Sequence, residues 1–337
     1  MKYRRLGKSN LTVSQLCLGT MMFGDQTELP EARNIVAAAA ANGVNFIDTA
    51  DVYTRGASEE MVGAILQGNR NDWVLATKLG NPMSKLPNQG HYSRNWIVRS
   101  VEHSLARLGT DFIDILYLHR DYLDENLEEA VLALGDVIRA GKIRAFGLSN
   151  FRGWRIAEVV RLCQQHGVPT PIVCQPYYNL LNRGPEVEIL PACAHYGIGV
   201  VPYSPIARGV LSGKYLPGQS APDGTRAARG DKRIMETEFR EESLAIAQQL
   251  KQHCAVDGRS LGQFATAWVL ANPIISSVIA GPRTLAQMED YFPAIDVQIT
   301  PADEALVDQL VVPGHASTPG YNDPQYPFAG RVTPTSR

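Results

Sequence analysis

Four side chains in the first part of the chain have the chemistry to move a proton to or from a carbonyl oxygen: Asp48, Tyr53, Lys78 and His119. A phenol near pKa ~10 is a poor acid at neutral pH, but a neighbouring ammonium stabilises its anion and lowers that value. Lys78 plays that part if Asp48 pairs with it and holds it charged. His119 then either orients a carbonyl oxygen or shares the proton. The set supplies a general acid for reducing a carbonyl, or a base for the reverse oxidation. Each residue alone has an ordinary reading. An Asp before Thr-Ala caps, a loop Tyr packs, and a His at a strand end is a satisfied core residue. A Lys closing an apolar run is odder, because its charge needs a partner there.

The argument therefore turns on what positions them. Short β-rich runs recur at Leu16–Gly19, Asn45–Asp48, Val74–Lys78, Ile113–His119, Ile143–Ser149, Ile172–Gln175, Gly199–Tyr203 and Ser277–Ala280. Helical patterns separate them: Glu31–Ala41, Ser58–Leu66, Ser93–Leu108, Leu127–Ala140, Trp154–His166 and Glu186–Tyr196, with Glu241–Leu250 and Leu261–Leu270 before the last run. Ile97, Val101, Leu105 and Leu108 share one helical face, as do Leu127, Ala130, Val131, Leu134 and Ile138. Most strand ends are spaced as βαβ units of roughly 30 residues require. Eight such units predict a (β/α)₈ TIM barrel, an α/β fold whose active residues gather at the C-terminal strand ends. Asp48, Lys78 and His119 end three consecutive strands. A doubly wound open sheet competes, but the GxGxxG fingerprint that would favour it is absent after the first strand.

The additions to the barrel are also readable. Tyr3 to Ser14 reads as a β-hairpin capping the barrel bottom. Residues 211–240 are rich in Gly, Pro and Arg and read as a long loop after strand seven. Beyond Val312, Pro313, Pro319, Pro324, Pro327 and Pro334 predict an irregular tail. One domain spanning 1–337 is the simplest division.

Composition narrows the class. The 337 residues carry a net charge of −2, which argues against a nucleic-acid binder needing excess basic charge. Five cysteines without CxxC spacing read as reduced thiols of a cytoplasmic protein. Ser260 to Pro282 lacks charge, but Asn272-Pro273 and several polar residues interrupt it, so a buried helix and strand are expected rather than a membrane span. No carboxylate–histidine cluster on successive strand ends suggests a metal site.

Five motifs then carry a family resemblance. Gly43-Val44-Asn45-Phe46-Ile47-Asp48-Thr49-Ala50-Asp51-Val52-Tyr53, followed by Gly56-Ala57-Ser58-Glu59, resembles the first signature of the aldo-keto reductases. Ser104 to Asp114, with the strand running on to His119, resembles the second. Gly141 to Phe151, Gln175-Pro176-Tyr177-Tyr178-Asn179, and Pro202 to Lys214 continue it in collinear order, from about Leu6 to Tyr291.

That resemblance implies a catalytic tetrad of Asp48, Tyr53, Lys78 and His119, with Tyr53 as general acid and a nicotinamide cofactor across the barrel mouth. Ser149, Asn150 and Gln175 would bind its carboxamide and Tyr203 would stack on its ring, with Gly19, Thr20 and Asp48 bordering it. Ser204, Ile206, Gly209 and Lys214 would meet the pyrophosphate side, with Arg226 closing over it. Gly281, Arg283, Gln287 and Asp290 resemble the adenosine-phosphate loop, although Asp290 stands where Glu is usual and Tyr291 where Asn is. Arg283 precedes a helix start, and no acidic residue occurs from Ile274 through Met288, so NADPH is expected over NADH. Met22, Phe23, Tyr53, Tyr92 and Tyr122 are candidate walls of the pocket for a small carbonyl substrate. The alternative is a cofactor-bound regulatory subunit like the potassium-channel β subunits. Members of that kind usually carry Asn at the fourth tetrad position, where this chain has His119. Self-association stays open.

Overall fold

The computed structural model describes residues 1–327. An antiparallel hairpin of β1 (Tyr3–Arg5) and β2 (Thr12–Ser14) opens the chain. Eight parallel strands follow: β3 (Leu16–Gly19), β4 (Phe46–Asp48), β5 (Val74–Leu79), β6 (Ile113–Leu118), β7 (Ile143–Ser149), β8 (Val173–Gln175), β9 (Gly199–Val200) and β10 (Val278–Ala280). They pair in chain order, with β10 beside β3. Ser276 N donates to Val200 O (2.8 Å) and Ile279 N to Pro202 O (3.0 Å), which closes the ring between β9 and β10. The fold is the expected (β/α)₈ barrel.

Strand alternation divides the core in two. Cys17, Phe46, Ala76, Ile115, Tyr117 and Val173 point inward and fill the barrel. Leu16, Leu18, Ile47, Leu116, Leu118 and Leu148 point outward against the helices. Leu6 and Val13 of the hairpin join the inner cluster, so the hairpin plugs the barrel bottom as expected. Gly7 makes this approach possible, because a Cβ there would stand 2.2 Å from the Gly197 carbonyl oxygen.

The outer helices are α1 (Leu29–Ala41), α2 (Ala57–Leu66), α3 (Arg94–Leu108), α4 (Leu127–Arg139), α5 (Gly153–His166) and α6 (Ile189–Tyr196). The predicted boundaries reflect real caps. Ser93 accepts from Trp96 N, and Asn126 from Glu128 N and Glu129 N, each cap being worth ~1 kcal/mol. The chain continues through α7 (Lys232–Thr237), α8 (Glu241–Ala255), α9 (Leu261–Ala271), α10 (Leu285–Tyr291) and α11 (Pro301–Leu310). All five cysteines are buried and free.

Three expectations change. The seventh barrel strand stops at Val200 rather than Tyr203: Val201 N still donates to Cys174 O (2.9 Å), but Pro176 has no N–H to return a bond to Val201, and pairing resumes only as a Tyr177–Tyr203 bridge. The 211–240 segment is not all loop, since Asp231 caps α7 inside it. A further helix, α11, precedes the tail, begun by a Thr300–Asp303 capping box.

The tail is irregular over 312–327, and its last part crosses the barrel mouth. Asp323 pairs with Arg233, and the Gln325 and Pro327 carbonyls accept from Arg120 and Arg152. Pro334 lies outside the described residues.

Candidate active site

Asp48 ends β4, Lys78 lies near the end of β5, and His119 follows β6 directly. Tyr53 opens a single 3₁₀ turn (Tyr53–Gly56) that leads into α2. Thr54 and Arg55 adopt left-handed φ there, and Gly56 follows at φ 99°, a conformation only glycine takes cheaply. The turn swings the Tyr53 phenol back over the strand ends.

Lys78 Nζ uses all three donors. It bonds the Asp48 carboxylate, the Thr49 carbonyl (2.7 Å) and the Tyr53 hydroxyl (3.2 Å). The other Asp48 oxygen accepts from Gln175 Nε2 (2.9 Å). Burial works against the charge on Lys78, yet Asp48 and Tyr53 hold its pKa above the ordinary value, so it stays an ammonium. Burial pushes the Tyr53 phenol above its ordinary value while Lys78 pulls it back down. The expected lowering is thus present as a contribution, but desolvation outweighs it.

His119 packs edge-on to Tyr53, with ring centroids 5.9 Å apart. Burial, and then Lys78, hold its pKa well below the usual imidazole value, so the ring is neutral. Asn81 decides which nitrogen carries the proton. Tyr122 OH donates to Asn81 Oδ1 (3.0 Å), which leaves Asn81 Nδ2 to donate to His119 Nδ1 (3.1 Å). The proton therefore sits on Nε2, free to donate elsewhere. Sequence reasoning missed Asn81, though its place just past the end of β5 is where a barrel site collects residues.

The residues expected around a nicotinamide lie on adjacent strand ends. Ser149 Oγ donates to Gln175 O (3.0 Å), Asn150 Nδ2 to His119 O (3.1 Å), and Tyr203 OH to Asn150 Oδ1 (2.8 Å). Tyr203 stacks on Tyr177 at 5.6 Å, and Tyr177 OH donates to Glu238 (2.6 Å), which Arg208 also binds. Arg208 and Glu238 were not foreseen, since 30 residues separate them and only the fold joins them. Gly19 closes β3, and Thr20 is fully buried against the Asp48 carbonyl.

Farther round the mouth the character changes. Lys214, Arg226, Arg229 and Arg283 converge, and burial together with the three guanidiniums lowers the Lys214 pKa. Arg226 has Asp231 at 3.3 Å, the one carboxylate paired to the four among the described residues. Ser204, at φ 57°, and Ile206 lead to Gly209, where a Cβ would stand 3.2 Å from Lys214 Nζ. Gly281 is exposed with open space beside it. Gln287 Oε1 accepts from Arg283 N (2.8 Å), and Asp290 binds Gln263.

Residues 15–312 match the model of the aldo/keto reductase family. The chain belongs to that family. Three relatives fit this placement. A probable voltage-gated potassium channel subunit beta of Arabidopsis thaliana is 36% identical, over 92% of this chain and 97% of its own. An uncharacterised oxidoreductase of Bacillus subtilis, YrpG, is 34% identical over 96% and 99%. The L-glyceraldehyde 3-phosphate reductase of Escherichia coli K12 is 31% identical over 93% of each chain.

As a family member the protein is an oxidoreductase of small carbonyl compounds. No helix among the described residues is long and apolar enough to cross a membrane. The residues expected as pocket walls differ in exposure. Phe23 is fully buried in the outer core, and Tyr92, 1% exposed, bonds the Arg120 backbone through its hydroxyl. Met22 is nearly buried as well, whereas Tyr122 is half-buried beside Asn81.

Proposed function

We propose that this aldo/keto reductase reduces aldehyde or ketone carbonyls to alcohols with NADPH, using Tyr53 as the general acid. The observation that carries the proposal is the buried Asp48–Lys78–Tyr53 chain of hydrogen bonds. Burial keeps Tyr53 protonated at neutral pH. Its hydroxyl meets the carbonyl oxygen and gives up the proton as negative charge develops there, and Lys78 stabilises the phenolate left behind. His119 Nε2–H donates a second hydrogen bond to the same oxygen without transferring a charge.

When bound, the reduced nicotinamide supplies the hydride. The residues present suit such a group: Tyr203 offers a ring face, and Ser149, Asn150 and Gln175 offer amide and hydroxyl partners to a carboxamide. Lys214, Arg226, Arg229 and Arg283 form an under-neutralised cationic patch suited to phosphates. Residues 211–240 fold over the dinucleotide, pivoting on Gly213, Gly218, Gly224 and Gly230, all of positive φ. Protection of this segment from proteolysis by NADPH tests that closure.

A second reading, a cofactor-bound channel subunit with little turnover, draws on the Arabidopsis relative. The neutral, tautomer-fixed His119 favours the enzyme. A panel of aldehydes and ketones followed by NADPH absorbance separates the two. Absence of turnover across the panel, with dinucleotide tightly bound, would favour the subunit.

A further inference from the structure

Three arginines meet the last described residues of the tail, 323–327, and they are not equivalent. Arg233 forms a two-pronged pair with Asp323. Arg152 binds the buried Asp121, which also holds Arg155. Arg120 has no carboxylate partner among the described residues. Its guanidinium lies close to two phenol rings, 5.4 Å from the centroid of Tyr122 and 5.3 Å from that of Tyr326. One of its five N–H groups donates to the Gln325 carbonyl (2.9 Å), and the side chain remains partly exposed.

This cation is bound directly to the reaction centre's framework. Arg120 follows His119 in the chain, and its backbone N–H and carbonyl are both fixed by Tyr92 OH, at 2.9 and 2.6 Å. Its ring partner Tyr122 donates to Asn81, which donates to the His119 imidazole. Nearby acids are committed elsewhere: Glu125 to His91, and Asp121 to its two arginines. A guanidinium within about 5.4 Å of two ring centroids, with donors to spare, presents the fork that binds a carboxylate or phosphate.

We infer that Arg120 is a specificity-determining residue that selects carbonyl substrates bearing an anionic group, with the carbonyl at Tyr53 and the anion at Arg120. The inference rests on the carbonyl-reducing reading and names its substrate class. The rings of Tyr122 and Tyr326 hold the guanidinium in place and leave its remaining N–H groups to the anionic end of a short aldehyde. Neutral aldehydes enter the same pocket but leave the Arg120 donors to water.

The test compares matched substrates: succinic semialdehyde against its methyl ester, and glyceraldehyde phosphate against glyceraldehyde. The readout is the ratio of kcat/KM within each pair, measured for wild type, Arg120→Gln and Arg120→Lys. Wild type should favour the anionic member, mainly through KM. Arg120→Gln should cut that ratio roughly 10- to 100-fold, as loss of a charge-assisted bond predicts, and Arg120→Lys should restore part of it. Preference in the first pair alone assigns a carboxylate; in the second alone, a phosphate. If Arg120 only anchors the tail, the substitutions lower both members equally and the ratio stays put. That result, or a wild-type ratio near one, overturns the inference while leaving carbonyl reduction intact. Failure to turn over any carbonyl in either pair or in the general panel overturns the functional reading itself, and this inference with it.

Discussion

The two ends of the mouth are built on opposite electrostatic plans. At the acid–base end, Asp48 and Lys78 are almost wholly buried, and every donor and acceptor of the pair has a protein partner. At the other end, Lys214, Arg226, Arg229 and Arg283 crowd together with Asp231 as their paired carboxylate. The first arrangement is complete in the protein alone, so its geometry is fixed before substrate arrives. The second repels itself and gains stability from an incoming anion. Substitutions at the first end should therefore act on rate, and those at the second on cofactor affinity.

The largest expected effect tests the first half of that contrast. Tyr53→Phe should reduce kcat by ~10²–10⁴-fold while cofactor binding, read by fluorescence titration, stays near that of wild type. Lys78→Met should be comparably damaging, because it removes the phenolate's stabilising charge and strands the buried Asp48 carboxylate. Near-normal turnover in Tyr53→Phe would remove the tyrosine from its role.

A smaller effect tests the other end. Arg283→Ala should weaken NADPH roughly 10- to 150-fold and NADH far less, the cost of one charge-assisted bond to the 2′-phosphate. Equal losses for both dinucleotides would mean that Arg283 does not read that phosphate, and the contrast between the ends would lose its chemical meaning.

How much of this was legible depended on distance along the chain. Leu16–Gly19 and Ile143–Ser149 match their predicted bounds, because apolar runs flanked by breakers carry their own signal. The barrel rule then brings Asp48, Lys78 and His119 to one rim without further information. The α11 helix was also readable, through Thr300, Pro301 and Asp303 at its start, but its weak apolar stripe concealed it. Aromatic type does not say which way a ring points: of the rings expected as pocket walls, Phe23 and Tyr92 are buried whereas Tyr122 is half-buried. The Tyr177–Glu238–Arg208 cluster and the route of the tail depend on contacts between distant segments, which no local pattern encodes.

Asn81 extends the comparison to the residues behind the proposed catalytic end. Its amide donates to His119 Nδ1, so Asn81→Asp should offer an acceptor there and draw the proton away from Nε2. That variant should lose about tenfold or more in kcat and raise the imidazole's apparent pKa in the pH–rate profile. Asn81→Ala should lose roughly one hydrogen bond's worth of rate, about tenfold or less, with a smaller shift of the profile. Matching profiles in the two variants would show that the amide does not choose the tautomer.

The smallest effect on turnover should come from a buried carboxylate that, unlike Asp48, is incompletely answered. Asp51 is fully buried. One oxygen accepts from Ser100 Oγ (3.2 Å), and the other has no protein partner among the described residues. Beside it Glu59 is bound by Thr77 (2.6 Å) and Arg107 (2.7 Å). Burial, and then Glu59, push Asp51 to about 7. An unfolded Asp titrates near ~3.9, so between about pH 4 and 7 the folded protein binds more protons than the unfolded chain. Stability from this group is therefore fully present below about pH 4, falls as pH rises to 7, and is level above that. Asp51→Asn removes the titration while keeping the shape. It should equal wild type in thermal stability near pH 4 and exceed it near pH 8, by as much as about 4 kcal/mol if the whole shift is expressed. Melting curves across that range decide the matter: a difference independent of pH would mean that Asp51 does not titrate in this window and that its unanswered oxygen costs the fold nothing through charge.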